Sequence, residues 1–440
     1  MRGQIAHQIS FGDGFIDPSL YELDEELKKV DELLSSPELL RPFEEVFDET
    51  LGRPGTPVGV YLRMMYLKFR WGLSYEEVES EVRERLPWRY FCHLSLMDSV
   101  PDATTLIKLN QRFGEERIAE LNRHLVKPLV KTRSIKPRRI RIDSTTLEAH
   151  ITYPTDVGLL HQAVKTLTRT AASLGQRITS HVRATKKALA RLGAALKGKP
   201  QARKAQSKKV LKKVAKLAHH TVEESLKAFC GLSQSVSEGQ AKLKEKFSRQ
   251  IRLAKTILQQ TEEKLRGNKS IPERIVSFYD PEARAICKGK LDKPVEFGRT
   301  LELVQEGSGV ILHYEIHQGN PNDKTQLLPL VRQTKKALGV VPKEVATDRG
   351  FYSSDNIVKL RGVGVHRVGI PKIGRLSAVE RRRQRSQWFR ELQRFRCGIE
   401  AAISLLKRRF SLGRVLARGS PATAVWTGMA IFAYNLWQQT

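Results

Sequence analysis

Three carboxylates stand where the surrounding residues do not favour an acid. Asp143 lies mid-way through the strand-like RIRIDSTTLEAHI, Asp348 at the end of KEVATDRGF, and Glu400 alone among five arginines and lysines in RFRCGIEAAISLLKRRF. An acid in a segment bound for a sheet costs free energy unless a cation or hydrogen bonds offset it, so such acids often mark sites. An oxygen-only set drawn from separate elements suits Mg2+, with Mn2+ as the alternative ion. Two such ions about 4 Å apart activate an attacking oxygen and stabilise the leaving one in an in-line phosphoryl displacement. That is the chemistry of cutting and joining DNA.

Helical spacing puts Arg396 four residues before Glu400 and Lys407 seven after it, on one side of a helix. The acid then serves the metal, and the two bases hold the phosphates on either side of the scissile one. Taken singly, each acid has a commoner explanation: a surface ion pair with Arg396 for Glu400, a turn-forming Asp for Asp143 and a strand-end cap for Asp348. Only the combination points to a site.

Charge favours a polyanionic partner. The 440 residues hold 77 Lys and Arg against 47 Asp and Glu, a formal net charge of +30 and a pI of about 10.1. Nucleic acid leads and an anionic membrane comes second. Residues 1–100 carry 11 basic and 19 acidic side chains, so the excess of bases lies beyond residue 100. MRGQIAHQISFGDG lacks the apolar core of a signal peptide and no apolar run is long enough to span a membrane, so a cytosolic chain is expected. Cys92, Cys230, Cys287 and Cys397 form no C-x-x-C pair, which argues against a disulfide framework or a zinc site; Cys92 beside His93 is a discounted metal hint.

The elements that must position the acids follow from periodicity. Residues 18–130 read as short helices, with VYLRMMYLKF, the break RWGLS and a capping box from Ser74 to Glu77. That pair resembles a helix-turn-helix, a weak signal shared by any small helical domain. KPRRIRIDSTTLEAHI reads as a strand. Residues 159–270 then hold 26 Lys or Arg against 6 acids, with leucine-type steps of seven at Leu160, Leu167 and Leu174 and again at Ile251, Leu258 and Leu265. With KGKPQ as a breaker, this segment predicts long helices folded back on each other, with one apolar seam and basic faces suited to phosphates. Strands are expected in RIVSFYD, PVEFGRTLELVQ and GVILHYEIHQG, the last two joined by the turn EGSG. A helix TQLLPLVRQTKKALG, the strand bearing Asp348, a helix from about Ser354 to Leu360, the strand VHRVGIP and the basic helix of Glu400 complete the order β, insert, β, β, β, α, β, α, β, α. Trp388 and Phe395 read first as helix packing, second as platforms for an unpaired base. TAVWTGMAIFAYNLW reads as a core helix.

At these residues the chain resembles DDE insertion-sequence transposases of the four-and-five superfamily. IRIDSTTLEAHITYPTD resembles that family's first acidic motif and ATDRGFYSSDN its second. The third, Y-x2-R-x3-E-x6-K, is matched by Arg396, Glu400 and Lys407 at the right spacings, with Gln393 in the tyrosine's place. Residues 55–125 look like the family's helical N-terminal domain and IFAYNLW like its closing helix; the basic insert has no counterpart. The resemblance implies an α/β fold: an RNase H-like mixed sheet with flanking helices over residues 135–158 and 271–440. An all-α N-terminal domain at 1–130, a candidate reader of DNA ends, precedes it, and a coiled-coil-like basic insertion at 159–270 follows its first strand.

It also implies Asp143, Asp348 and Glu400 as the metal-binding triad, Arg396 and Lys407 as contacts to the transposon-end backbone, and Arg349 as a further phosphate contact. His150, Asp156 and Asp323 lie in or near the motifs, but polar turns such as YPTD and NPND account for those acids more cheaply. The expected activity is Mg2+-dependent cleavage and strand transfer at inverted repeats, by a dimer or higher oligomer associated with a prokaryotic nucleoid and not with a membrane. Two rivals remain: an RNase H-fold nuclease or resolvase that joins no strands, and a non-catalytic basic DNA-binding protein.

Overall fold

The computed structural model describes residues 3, 14, 16–48, 52, 55–195, 200–232, 238–268, 270–287, 294–372 and 374–440. Nearly all of MRGQIAHQISFGDG, and residues 197–199 of the KGKPQ break, lie outside the described residues. The chain divides into two compact units, one of residues 1–150 with 299–440 and one of residues 151–298.

The first unit begins with helices α1 (Glu25–Leu34), α2 (Pro37–Glu44), α3 (Val58–Trp71), α4 (Tyr75–Glu84), α5 (Leu86–Phe91) and α6 (Ala103–Lys131). Helix α3 is apolar on nearly every side and is buried along almost its whole length, as an all-round apolar pattern requires. It even buries Lys68, whose ammonium lies over the rings of Phe69, Tyr75 and Trp426 and donates to the Leu73 carbonyl at 3.0 Å. The expected break at RWGLS is built by Gly72 in the left-handed conformation, φ 71°, which only a residue without Cβ adopts cheaply. Ser74 and Glu77 then cap each other's backbone, forming both halves of the predicted capping box.

The sheet strands are β1 (Arg139–Glu148), β2 (Arg284–Cys287), β3 (Val295–Glu306), β4 (Ile311–Gln318), β5 (Glu344–Thr347) and β6 (Arg367–Gly369). In the first unit they lie in the order β4-β3-β1-β5-β6, with β3 and β4 antiparallel and β1, β5 and β6 parallel. The EGSG turn joins β3 to β4, with Gly309 at φ 101°. Helices α11 (Asp323–Leu338) and α12 (Ser354–Val363) follow β4 and β5, while α13 (Ala378–Arg385), α14 (Gln387–Arg409) and α15 (Ser420–Trp437) close the chain, after α7 to α10 of the second unit described below. Alternation sorts the strand residues onto two faces. Ile140, Ile142, Val304 and Leu312 pack with α11 and α12; Leu301 and Leu303 pack with α14 and α15. Helix α15 is the expected core helix, and no helix among the described residues is long and apolar enough to cross a membrane.

The second unit is built from α7 (Asp156–Ser173), α8 (Val182–Ala195), α9 (Pro200–Cys230) and α10 (Glu238–Arg266). Leu160, Leu167, Ile251 and Leu258 are buried in one core, with Leu174 and Leu265 at its margin, so the seven-residue steps do mark an apolar seam. Asp156, capped into α7 by Thr155, is paired with Lys264 and Arg274. Burial alone would raise its carboxyl, but these two cations hold it below the usual range. One strand expectation fails. RIVSFYD forms no strand: Ile275 and Phe278 are used to cover the helical core, and the Ile275 N–H donates to the Gln260 side chain at 3.0 Å. The strand falls instead on Arg284–Cys287, pairing antiparallel with Val295–Gly298.

Candidate active site

Strands β1 and β5 are parallel, and their last registered pair is Ile142 with Thr347. Asp143, still within β1, and Asp348, just past the end of β5, are the next residue on each, on neighbouring strands about 4.8 Å apart at the same level. Asp143 is 18% exposed, and its Oδ1 accepts from the Ser144 N–H at 2.8 Å. Asp348 is half-buried; its Oδ1 accepts from the Gly350 N–H at 2.7 Å and caps a short 3-10 turn at Arg349–Phe351. The strand-end cap is therefore real, and it fixes this carboxylate in place.

Glu400 comes from α14, which is seated against the sheet by Arg141. That guanidinium donates to Gln305 Oε1 at 2.7 Å and to the Phe395 carbonyl at 3.0 Å. It occupies the space a side chain would need at residue 398: a Cβ on Gly398 would stand 1.9 Å from Arg141 Nη1. Gln393, in the tyrosine's place, donates to the Gly369 carbonyl at 2.6 Å and that of Thr347 at 3.4 Å, tying α14 to the ends of β5 and β6. One side chain links helix acid to strand acid: Arg396 places Nη2 3.0 Å from Glu400 Oε1 and Nη1 3.8 Å from Asp143 Oδ2. Arg396 is 17% exposed whereas Glu400 is 62% exposed, so the helix acid is the least constrained of the three. Arg349 follows Asp348 on the exposed side of the turn, and Lys407 is half-buried two turns along α14. Phe395 lies beneath Arg139 and Arg141, with Trp388 against Phe389, as the packing reading expects.

Two features nearby go beyond residue order: Asp323 is read there only as a turn acid, and the Glu302 cluster is not read at all. Asp323, the first residue of α11, crowds the spot beside Gly350: a Cβ there would lie 3.0 Å from Asp348 Oδ1 and 3.2 Å from Asp323 Oδ2. The motif NPND explains its helix-start position but not its approach to Asp348. On the α11 face, Glu302, Glu315 and His317 each offer a ligand atom within 4.8 Å of the others, and among the described residues no other set of three acids, histidines or cysteines does so. The triad is therefore more open than this cluster. Burial raises the Glu302 carboxyl despite its bond to His317, and that bond in turn raises the His317 imidazole. The signal was present as alternation: His313, Glu315 and His317 occupy every second position of β4.

Residues 18–112 match the family described as Transposase domain (DUF772), and residues 296–436 match the one described as Transposase DDE domain. Over 158 residues the chain is 29% identical to the uncharacterized protein ORF8 in the nfe locus of Rhizobium meliloti, an alignment covering 34% of this chain and 76% of that protein. No solved structure matches. The second match contains Asp348, Arg396, Glu400 and Lys407 and the first covers α1 to α5, so both ends of the chain agree: it belongs to the DDE transposases of insertion sequences.

Proposed function

We propose that residues 135–158 and 271–440 act as an RNase H-like catalytic domain whose Asp143, Asp348 and Glu400 hold Mg2+, or Mn2+ in its place, for phosphodiester cleavage and strand transfer at transposon ends. The observation that carries this reading is the single guanidinium of Arg396 spanning Asp143 and Glu400, beside the strand end that presents Asp348. The donor set fits a hard cation: every atom these three side chains offer is a carboxylate oxygen, and a cation, that of Arg396, already lies against two of them. When bound, the metal supplies Lewis acidity at the scissile phosphate and lowers the pKa of the attacking hydroxyl.

The chain's own residues do the rest. Asp143 and Asp348 are pre-positioned by the parallel strands, while the exposed Glu400 side chain adjusts on α14. Arg396, Lys407 and Arg349 hold phosphates flanking the reacting one, Arg396 exchanging its carboxylate partners for phosphate oxygens. Water attacks the phosphorus at the transposon end, the bond to the 3′ oxygen breaks, and that oxygen takes a proton to become a free hydroxyl. The hydroxyl gives up its proton as it attacks a target phosphorus, the bond to a target 3′ oxygen breaks and that oxygen takes a proton, so this second step conserves the number of phosphodiester bonds. No covalent enzyme intermediate is needed.

The inverted repeats and target DNA are double-stranded partners, and pairing two ends calls for a dimer or higher oligomer. The α-helical N-terminal region, residues 1–130, is the candidate reader of the ends. The coiled-coil-like insertion 159–270 adds sequence-independent affinity: Lys204, Lys208, Lys212 and Lys216 recur at every fourth position of α9 and are all exposed. Such affinity suits a nucleoid-associated protein. The test is strand transfer of a pre-cut end in vitro. Asp143→Ala, Asp348→Ala and Glu400→Gln are each expected to abolish joining while gel-shift binding of the same end persists; undiminished joining by any of them would sink the assignment of that residue.

A further inference from the structure

Strand β4 runs His313, Tyr314, Glu315, Ile316, His317. Its two-residue period sends Tyr314 and Ile316 to the core shared with α14 and α15, and therefore turns His313, Glu315 and His317 to the α11 face, opposite the side on which Asp143 meets α14. Glu302 is the cross-strand partner of Glu315. His317 Nε2 lies 2.7 Å from Glu302 Oε2 and 3.6 Å from Glu315 Oε2, and His313 Nε2 lies 3.2 Å from Glu315 Oε1. Two carboxylates directly opposite on antiparallel strands repel. One of them is also fully buried: the Glu302 side chain is 0% exposed, and its Oε1 has no hydrogen-bond partner. A buried carboxylate oxygen left without a donor is costly, and it asks for a cation.

We propose that Glu302, Glu315 and His317 form a second metal site, separate from the triad, that takes a divalent transition ion of the zinc or manganese class. One imidazole with two carboxylates is a mixed nitrogen and oxygen set, which favours such ions over Mg2+. The ion bridges β3 and β4, bonding to the oxygen that hydrogen bonding leaves unserved, and His313 orients Glu315 from behind. The site does not depend on the triad reading, because it shares no residue with it.

The full-length protein is dialysed against Zn2+ alone, then against metal-free buffer, and its retained zinc is measured by mass spectrometry. Wild type and Glu400→Gln are expected to retain zinc stoichiometrically and to melt at higher temperature with zinc than without. The double variant Glu302→Gln, His317→Ala is expected to lose both properties. Zinc retained equally by that variant, zinc released by Glu400→Gln, or no zinc retained by wild type would each overturn the proposal. Should the double variant fail to fold, judged by circular dichroism, Glu315→Gln is measured in its place and expected to bind at least about 10-fold more weakly; unchanged affinity overturns the site. In the wild type, Co2+ should give visible absorption that zinc abolishes, and a spectrum identical to aqueous Co2+ counts against it.

Discussion

The two faces of one sheet treat acidic side chains in opposite ways. On the α14 face, Asp143 and Glu400 are separated by Arg396 and the helix acid is largely exposed, so the charges are kept apart and available. On the α11 face, Glu302 is fully buried and stacked against Glu315, and its charge is offset by the His317 imidazole. A permanent guanidinium suits a site that must exchange one cation for another plus a phosphate, because it leaves with its own charge intact. An imidazole suits a compact site in which the same side chain is itself a ligand. Asp323 lies between the two: it approaches Asp348 beside Gly350, and its charge helps to raise the Glu302 carboxyl.

The comparison breaks first at catalysis. Asp348→Ala is expected to lower strand transfer by about 10^3-fold or more, the scale of removing a group that acts only in the transition state, whereas Glu315→Gln should leave it within about a few-fold. Equal losses measured on the two faces would erase the distinction. The next effect concerns a buried charge whose burial outweighs the attraction of Glu76 and Glu77. Lys68 is pushed down to about 8, mainly by burial, from an ordinary value of 10.5. Between those values the unfolded chain holds the Lys68 proton more tightly than the folded one, so Lys68 contributes a rise of stability with pH across that window of about 3 kcal/mol at most, opposed by the buried Cys92 thiol, which burial raises. The stability difference between wild type and Lys68→Met should therefore shift towards wild type from pH 7.5 to pH 10.5, measured by urea unfolding of both at each pH.

Seating of the helix comes third. Gly398→Ala drives a methyl into Arg141 and is expected to cost about 1–3 kcal/mol, read as a lowered urea midpoint, with strand transfer falling because Glu400 and Arg396 move with α14. The smallest effect should come from Arg396→Lys. A lysine keeps the charge but cannot reach two carboxylates with a rigid fork, so joining should fall about 10-fold while the salt dependence of DNA binding stays unchanged.

Much of this arrangement was legible in residue order. The helix-break-helix around Gly72 and the capping box of Ser74 and Glu77 are local devices, set by backbone sterics and short-range hydrogen bonds. The seven-residue steps of α7 and α10 likewise report one-dimensional periodicity, and the core uses them. RIVSFYD misled because alternation of apolar residues signals burial without saying what does the burying; there it is a helical core, and the paired strand is the shorter Arg284–Cys287. At the site, the breach of local pattern singled out Asp143, Asp348 and Glu400, but not that Arg396 would link two of them. Asp323, set aside as a turn acid, and the Glu302 cluster, which was missed, share a related reason. Each draws its meaning from a neighbour brought close by strand pairing or by a turn, as Glu315 meets Glu302 across the hairpin and Asp323 meets Asp348 at Gly350.

The central claim, that Asp143, Asp348 and Glu400 are ligands to catalytic metal, is tested most directly by changing ligand softness. Asp143→Cys, Asp348→Cys and Glu400→Cys are assayed for strand transfer with Mg2+ and with Mn2+, because a thiolate binds the softer ion and not the harder one. The expected result is loss of joining in Mg2+ with recovery in Mn2+ at one or more of the three positions. Folded, DNA-binding variants that join equally well in both ions, or that recover at none of the three, would contradict it.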